Sequence, residues 1–150
     1  MMRVGVFPGS FDPFTKGHES VVKMALNFFD EVIIAIGVNS KKTSYFALEK
    51  RKSHIESLFR DKVQVLEYQG LTVDFCKRFD SPVIIRGLRD TKDFEYEKSI
   101  AFMNRDLAGI ETLFLLTDIR YSHINSSIIR EVFSNCGDIS AFVTNAEILV

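Results

Sequence analysis

Residues 4–29 read VGVFPGSFDPFTKGHESVVKMALNFF, and the fold is decided there. The opening Val4–Phe7 is a short apolar run without in/out alternation, the pattern of a parallel strand covered on both faces. A loop follows, Pro8–His18, punctuated by prolines and glycines. Then Val21, Val22, Ala25, Leu26 and Phe29 recur at helical spacing and line one face. The same strand–loop–helix unit returns along the chain. Apolar runs at Val32–Val38, Val63–Leu66, Val83–Ile85 and Thr112–Leu116 alternate with four further stripes. These are Leu48, Ile55, Leu58 and Phe59; Leu71, Phe75, Cys76 and Phe79; Tyr96, Ile100, Met103 and Leu107; and Ile128, Ile129, Val132 and Phe133. Five such units with right-handed crossovers predict an α/β fold. The expectation is a single Rossmann-like, doubly wound domain over residues 1–150, a five-stranded parallel sheet with helices on both faces.

The whole-chain numbers agree and exclude several classes. At 150 residues, with 46% hydrophobic side chains, the chain has the size and apolar content for one proper core. Nineteen basic against 20 acidic residues leave a formal net charge of −1, which argues against whole-surface attraction to nucleic acid or anionic membrane. No run is apolar for long enough to span a bilayer, and the N-terminus has no signal-peptide core. Cys76 and Cys136 are too few for a disulfide framework and lie outside any metal-ligand spacing. Cys76 falls on a core stripe, and Cys136 beside Gly137 marks a helix end. The expected home is a reducing cytoplasm.

In such sheets ligands bind beyond the carboxyl ends of the strands, where strand order reverses. The residues following the strands are Pro8–His18, Asn39–Thr43, Tyr68–Thr72, Arg86–Asp90 and Thr117–Ser127. Basic, hydroxyl and glycine residues gather on this edge, which suits phosphate. The first loop has neither a G-x-x-x-x-G-K-[ST] nor a G-x-G-x-x-G pattern. Its useful part is Gly17-His18 opening the first long helix, where free amides and the helix dipole attract anions. Asn125-Ser126-Ser127 offers a second helix start. Each feature alone has an ordinary reading: a turn glycine, a cap, a solvated Lys41-Lys42 pair, or Arg86 and Arg89 paired with Asp90 or Asp93. His54 reads as structural, and His123 lies in a loop that borders the site. The shared position at the strand ends raises the joint reading above these.

The Gly9–His18 stretch, ending in Thr15-Lys16-Gly17-His18, resembles the signature loop of the nucleotidyltransferase superfamily with its T/H-x-G-H motif. Three further blocks resemble the bacterial phosphopantetheine adenylyltransferases in particular: Ile85–Arg89, Asp93–Glu97 and Ala101-x-Met103-Asn104-Arg105. The likeness runs from about residue 3 to about residue 142. It implies reversible transfer of AMP from ATP to 4′-phosphopantetheine, giving dephospho-coenzyme A and pyrophosphate by direct in-line attack. Mg²⁺ is the implied metal, with no protein side chain assigned to it, and a homohexamer is the implied assembly. His18, Lys42 and Arg86 are the implied catalytic residues. The implied ATP site takes in Ser10, Phe11, His18, Gly87, Leu88, Arg89, Glu97, Tyr121, Ser122, His123, Ile124, Asn125, Ser126 and Ser127. Ser10, Lys42, Thr72 and Arg86 would bind the acceptor. Lys42 is preferred to Lys41 because it aligns without a gap. The chain departs from the family in carrying Ser10 for a common Thr and Asn125 for the first of three serines, and in ending short of the usual C-terminal helix. Two other readings stay open at this point: a different acceptor within the superfamily, such as nicotinate mononucleotide or a phospho-alcohol taking CMP, and a non-catalytic nucleotide-binding module.

Overall fold

The computed structural model describes residues 1–150. Five strands, β1 (Val4–Gly9), β2 (Glu31–Gly37), β3 (Gln64–Tyr68), β4 (Pro82–Leu88) and β5 (Thr112–Leu116), form one all-parallel sheet in the order β3-β2-β1-β4-β5. The order reverses between β1 and β4, which are neighbours in the sheet although β2 and β3 intervene in sequence. Helices α1 (Lys16–Ala25), α2 (Leu48–Phe59), α3 (Thr72–Cys76), α4 (Thr91–Ala108) and α5 (Ser126–Ser134) connect or follow the strands. β1 and β4 extend past their apolar runs by two and three residues, carrying Pro8, Gly9, Arg86, Gly87 and Leu88 on their carboxyl ends.

The uninterrupted apolar runs follow from burial on both sheet faces. Along β2, Val32, Ile34 and Ile36 pack with Phe7, Val21, Val22, Ala25, Ile55 and Phe59 on the face that α1 and α2 cover. Ile33 and Ala35 point the other way, against Val4, Val6, Ile84 and the α3 residues Val73, Phe75 and Cys76. A third cluster gathers Phe46, Ile124, Ile129, Ile139, Val143 and Leu149, joining α5 to the C-terminal segment. In place of a C-terminal helix the chain makes a 3₁₀ turn at Ala146–Leu149.

Several stripes behave differently from the periodicity alone. On α4, Tyr96, Ile100, Met103 and Leu107 were expected to face the core, yet all four are exposed, Tyr96 by 71%, and Glu97 is the one buried residue of the helix. The helix instead turns its Glu97, Ala101, Asn104 and Ala108 face inward, so the apolar stripe stays open. Leu71 caps the five-residue α3 and is exposed, and Ile128 is exposed while Ile129 is buried. Cys76 is in the core as expected; burial pushes its thiol up to about 11. Cys136 is exposed at the end of α5 with φ of 62°. His54 is fully buried, its Nε2 2.6 Å from the Thr144 carbonyl, which is a structural role.

Candidate active site

The first unit builds its chemistry from a helix cap. Thr15 is the N-cap of α1; its hydroxyl accepts from the His18 amide, and the His18 Nδ1 accepts from the Thr15 amide at 3.0 Å. This reciprocal pair is a capping box with imidazole in the place usually taken by Glu or Gln. Because Nδ1 accepts, the ring proton resides on Nε2. Nε2 has no protein partner and is not sealed from solvent, so the cap presents an N–H donor at the cavity wall. Burial, then the charges of Arg86 and Arg89, lower the His18 pKa to about 4, which keeps the ring neutral at pH 7. The rest of the ring is packed by Phe7, Phe11 and Phe14. The Lys16 amide is taken by the Phe142 carbonyl, leaving Gly17 N–H as the free donor of the first turn.

On the other side of the switch point, Arg86 is clamped. Its Nε and Nη2 donate to the two Glu97 carboxylate oxygens at 2.9 and 2.6 Å, and its Nη1 donates to the Pro8 carbonyl at 2.8 Å. Arg89 pairs with Asp93, whose carboxylate also accepts from the Arg89 amide, and Nη1 of Arg89 reaches the Ile124 carbonyl. The pairing with Asp93 foreseen as an ordinary explanation is therefore real, and a second pair, Arg86–Glu97, accompanies it. The pairs nonetheless fix both guanidinium groups beside His18. At α5, Asn125 caps the helix by accepting from the Ser127 and Ile128 amides, and Ser126 donates to the Pro13 carbonyl. Fewer free amides remain there than the sequence suggested.

Two cavities open on this edge and share one wall. The larger, about 610 Å³, runs from Ser10 and Arg86 between Asn39, Tyr68, Thr72 and Asn104. The smaller, about 360 Å³, runs from the same wall past His18 and Arg89 to Tyr121 and the start of α5. Pro8, Gly9, Ser10, Arg86 and Glu97 border both. Of the residues singled out in the sequence, Phe11, Gly87, Ile124, Asn125, Ser126 and Ser127 also line the smaller cavity. The structure does not bring Leu88, Ser122 or His123 to either lining. Leu88 is buried with its carbonyl bonded to the Thr117 amide, Ser122 bonds the Ile119 carbonyl, and the His123 ring lies against Phe142. Lys42 is exposed in the turn that follows the cavity-lining Asn39 and Ser40.

Sequence reasoning assigned no role to Tyr68 or Asn104. Tyr68 Oη lies 2.8 Å from the Thr72 hydroxyl in the larger cavity. Asn104 could have been found: with Glu97 and Ala101 it sits at i, i+4 and i+7, one face of α4, and all three line that cavity. The carboxylates nearest the smaller cavity, Asp93 and Glu97, are committed to arginines, and no group of three or more His, Cys, Asp or Glu converges. A protein-caged Mg²⁺ does not fit these donors; an ion carried in by phosphates and water does.

A cytidylyltransferase-like family model matches residues 6–132. The phosphopantetheine adenylyltransferase of Flavobacterium psychrophilum is 52% identical over 147 residues, covering 97% of both chains. That of Bacteroides thetaiotaomicron is 49% identical over 144 residues, covering 95% of both. Among solved structures, a bifunctional NMN adenylyltransferase/ADP ribose pyrophosphatase from Francisella tularensis superposes on 99% of this chain with a TM-score of 0.73. The chain spans about half of that protein's length, and at 20% identity the likeness carries the fold alone.

Proposed function

This chain belongs to the phosphopantetheine adenylyltransferase family, and we propose that its two adjoining cavities seat the two substrates of that reaction. The reaction is the reversible transfer of AMP from ATP to 4′-phosphopantetheine, yielding dephospho-coenzyme A and pyrophosphate in coenzyme A biosynthesis. The observation that carries the placement is the shared wall of Pro8, Gly9, Ser10, Arg86 and Glu97 between a phosphate-seeking cavity and a longer one. Two anionic reactants that must meet at phosphorus need such a wall.

ATP occupies the smaller cavity and the pantetheine arm the larger. A phosphate oxygen of 4′-phosphopantetheine attacks the α-phosphorus of ATP; the new P–O bond forms as the α–β bridging bond breaks and pyrophosphate leaves in line. The nucleophile is already anionic, so no general base is required, and the protein contributes positioning and charge stabilisation. His18 donates from Nε2 to an α-phosphate oxygen. Ser10 orients phosphate at the shared wall, with Phe11 beside it. Arg86 and Lys42 hold the attacking phosphate, Lys42 swinging in from its exposed turn as a mobile point charge. Arg89, Gly87, Tyr121 and the Ile124–Ser127 segment hold the nucleotide and the leaving pyrophosphate. Glu97 borders the nucleotide from α4 while its carboxylate grips Arg86, and Thr72 borders the pantetheine arm. Mg²⁺ would come with ATP and supply charge neutralisation, no protein side chain being assigned to hold it.

The same reading assigns a cytoplasmic homohexamer. It is supported by the uncovered apolar face of α4, with Tyr96, Met103 and Leu107 more than half exposed, and by two unpaired cysteines. No helix is long and apolar enough to cross a membrane. The test is a coupled pyrophosphate assay: release is expected when ATP, Mg²⁺ and 4′-phosphopantetheine are present together and absent when any is omitted. Turnover with CTP but not ATP, or with nicotinate mononucleotide but not phosphopantetheine, overturns the assignment.

A further inference from the structure

Arg51 lies on α2, outside both cavities, yet the residue is only 3% exposed. A buried guanidinium is expensive unless its donors are used, and here they are. Nη1 donates to the Ser10 carbonyl at 2.5 Å, Nε to the Phe46 carbonyl at 3.0 Å, and Nη2 to the Ser44 hydroxyl at 3.0 Å. All three acceptors lie in the loops that follow β1 and β2. Asp12 answers from the first loop, its carboxylate accepting from the Tyr45 and Phe46 amides. The two loops are thus zipped by a cation and an anion that bond the loops and not each other.

The bond to Ser10 has a consequence for the site. The Ser10–Phe11 peptide is trans, so its C=O and N–H point in opposite directions. With the carbonyl drawn toward Arg51, the Phe11 N–H is turned away from it. That N–H makes no hydrogen bond within the chain. Phe11 borders the smaller cavity, but its ring is buried against Phe7, Phe14 and His18, so the amide is what it can offer a ligand. Phe11 also holds φ at 47°, a conformation that costs a bulky residue of order 1 kcal/mol or more and persists only where neighbours enforce it.

We infer that Arg51 is a positioning residue that sets the Ser10–Phe11 peptide so that the Phe11 N–H faces the phosphates of the nucleotide. The inference rests on the placement of ATP in the smaller cavity. It gives a buried cation on a helix remote from both ligands a role in the affinity for one of them. Lysine at this position keeps the charge but has one terminal nitrogen, which cannot serve carbonyls and a hydroxyl in two loops at once.

Arg51→Lys and Arg51→Met are compared with the unaltered enzyme by steady-state kinetics, with melting temperatures as the control for folding. The expected result is an ATP KM raised about tenfold in Arg51→Lys and further in Arg51→Met, with the phosphopantetheine KM raised severalfold less, since Ser10 also meets the acceptor phosphate. A merely structural arginine would lower the active fraction and leave the ratio of the two KM values unchanged, and that outcome overturns the inference. A second measurement needs no variant. In protein labelled with ¹⁵N-phenylalanine, saturating pyrophosphate is expected to shift the Phe11 amide resonance strongly; an unmoved resonance refutes the inference. If the unaltered enzyme releases no pyrophosphate from ATP and phosphopantetheine, the reading of the reaction fails; normal turnover with an unchanged KM ratio in Arg51→Lys sinks the role of Arg51 alone.

Discussion

Replacing His18 separates a structural from a chemical role, because the same ring serves both. As the third residue of α1 it accepts from the Thr15 amide, and as a wall of the smaller cavity it presents Nε2–H. His18→Ala removes both contributions. Loss of one preorganised donor to developing phosphate charge costs about 10²–10³ in kcat, or about 3–4 kcal/mol of transition-state stabilisation. Loss of the reciprocal bond to the Thr15 amide costs up to about 1 kcal/mol of stability, some 2–4 °C in Tm for a chain of this size. His18→Glu divides these effects. Glutamate is the usual partner in a capping box, so the helix start is retained and Tm stays within about 2 °C. The introduced carboxylate has no donor and puts negative charge where phosphate must lie. It also competes for Arg86 and Arg89, which stand close enough to depress the imidazolium. Turnover is therefore expected to fall at least about a thousandfold, more than in His18→Ala, in the more stable of the two variants. Pyrophosphate release at saturating substrates, with circular-dichroism melts on the same samples, reads both quantities. Activity of His18→Glu within tenfold of the unaltered enzyme, or of His18→Ala within tenfold, would refute the donor role.

Other perturbations test neighbouring parts of the argument. Glu97→Gln removes the anion that clamps Arg86; it should lower kcat at least tenfold and cost about 1–2 kcal/mol in denaturant melts, discounted because Arg86 is about a third exposed. Gly87→Ala places a Cβ 2.7 Å from Val21 Cγ2 and should cost about 1–3 kcal/mol, whereas at Gly17 the nearest contact is an ordinary 3.4 Å. Gly17→Ala should therefore leave Tm unchanged or slightly raised while the added methyl, at the cavity wall, raises the ATP KM several-fold. His18 and His54 both have pKa values lowered chiefly by burial, so protonation favours the unfolded chain. Their stabilising contribution is complete above pH 6.5 and is lost as pH falls from 6.5 toward the folded value, about 4 for His18. At about 1.4 kcal/mol per pH unit that window amounts to at most about 3 kcal/mol for His18. The figure is an upper bound, since one edge of its ring is open to the cavity. Melts between pH 7 and 4 should fall through this window, and a flat profile contradicts it.

Much of the site was legible because its parts are local. A cap, a glycine and an imidazole at the start of α1 form a contiguous pattern, and Arg86-Gly87-Leu88-Arg89 follows directly from an apolar run. Arg51 carried no such signal. It sits among charged residues on α2, and its burial arises only when the loops after β1 and β2 close over it. The α4 stripe shows the opposite failure: period reported an apolar face truly, but not whether anything in the same chain covers it.

By itself the sequence determined the alternation of strands and helices, the family, and the residues able to meet phosphate, since each depends on neighbours a few positions apart. Tertiary structure alone decided that β1 and β4 lie side by side, so that Ser10 and Arg86 share one wall between two cavities. It alone set the His18 ring at the smaller cavity and bound the Ser10 carbonyl to Arg51. Those outcomes depend on strand order and on which buried donor finds which carbonyl, and both are set by contacts between residues far apart in the chain.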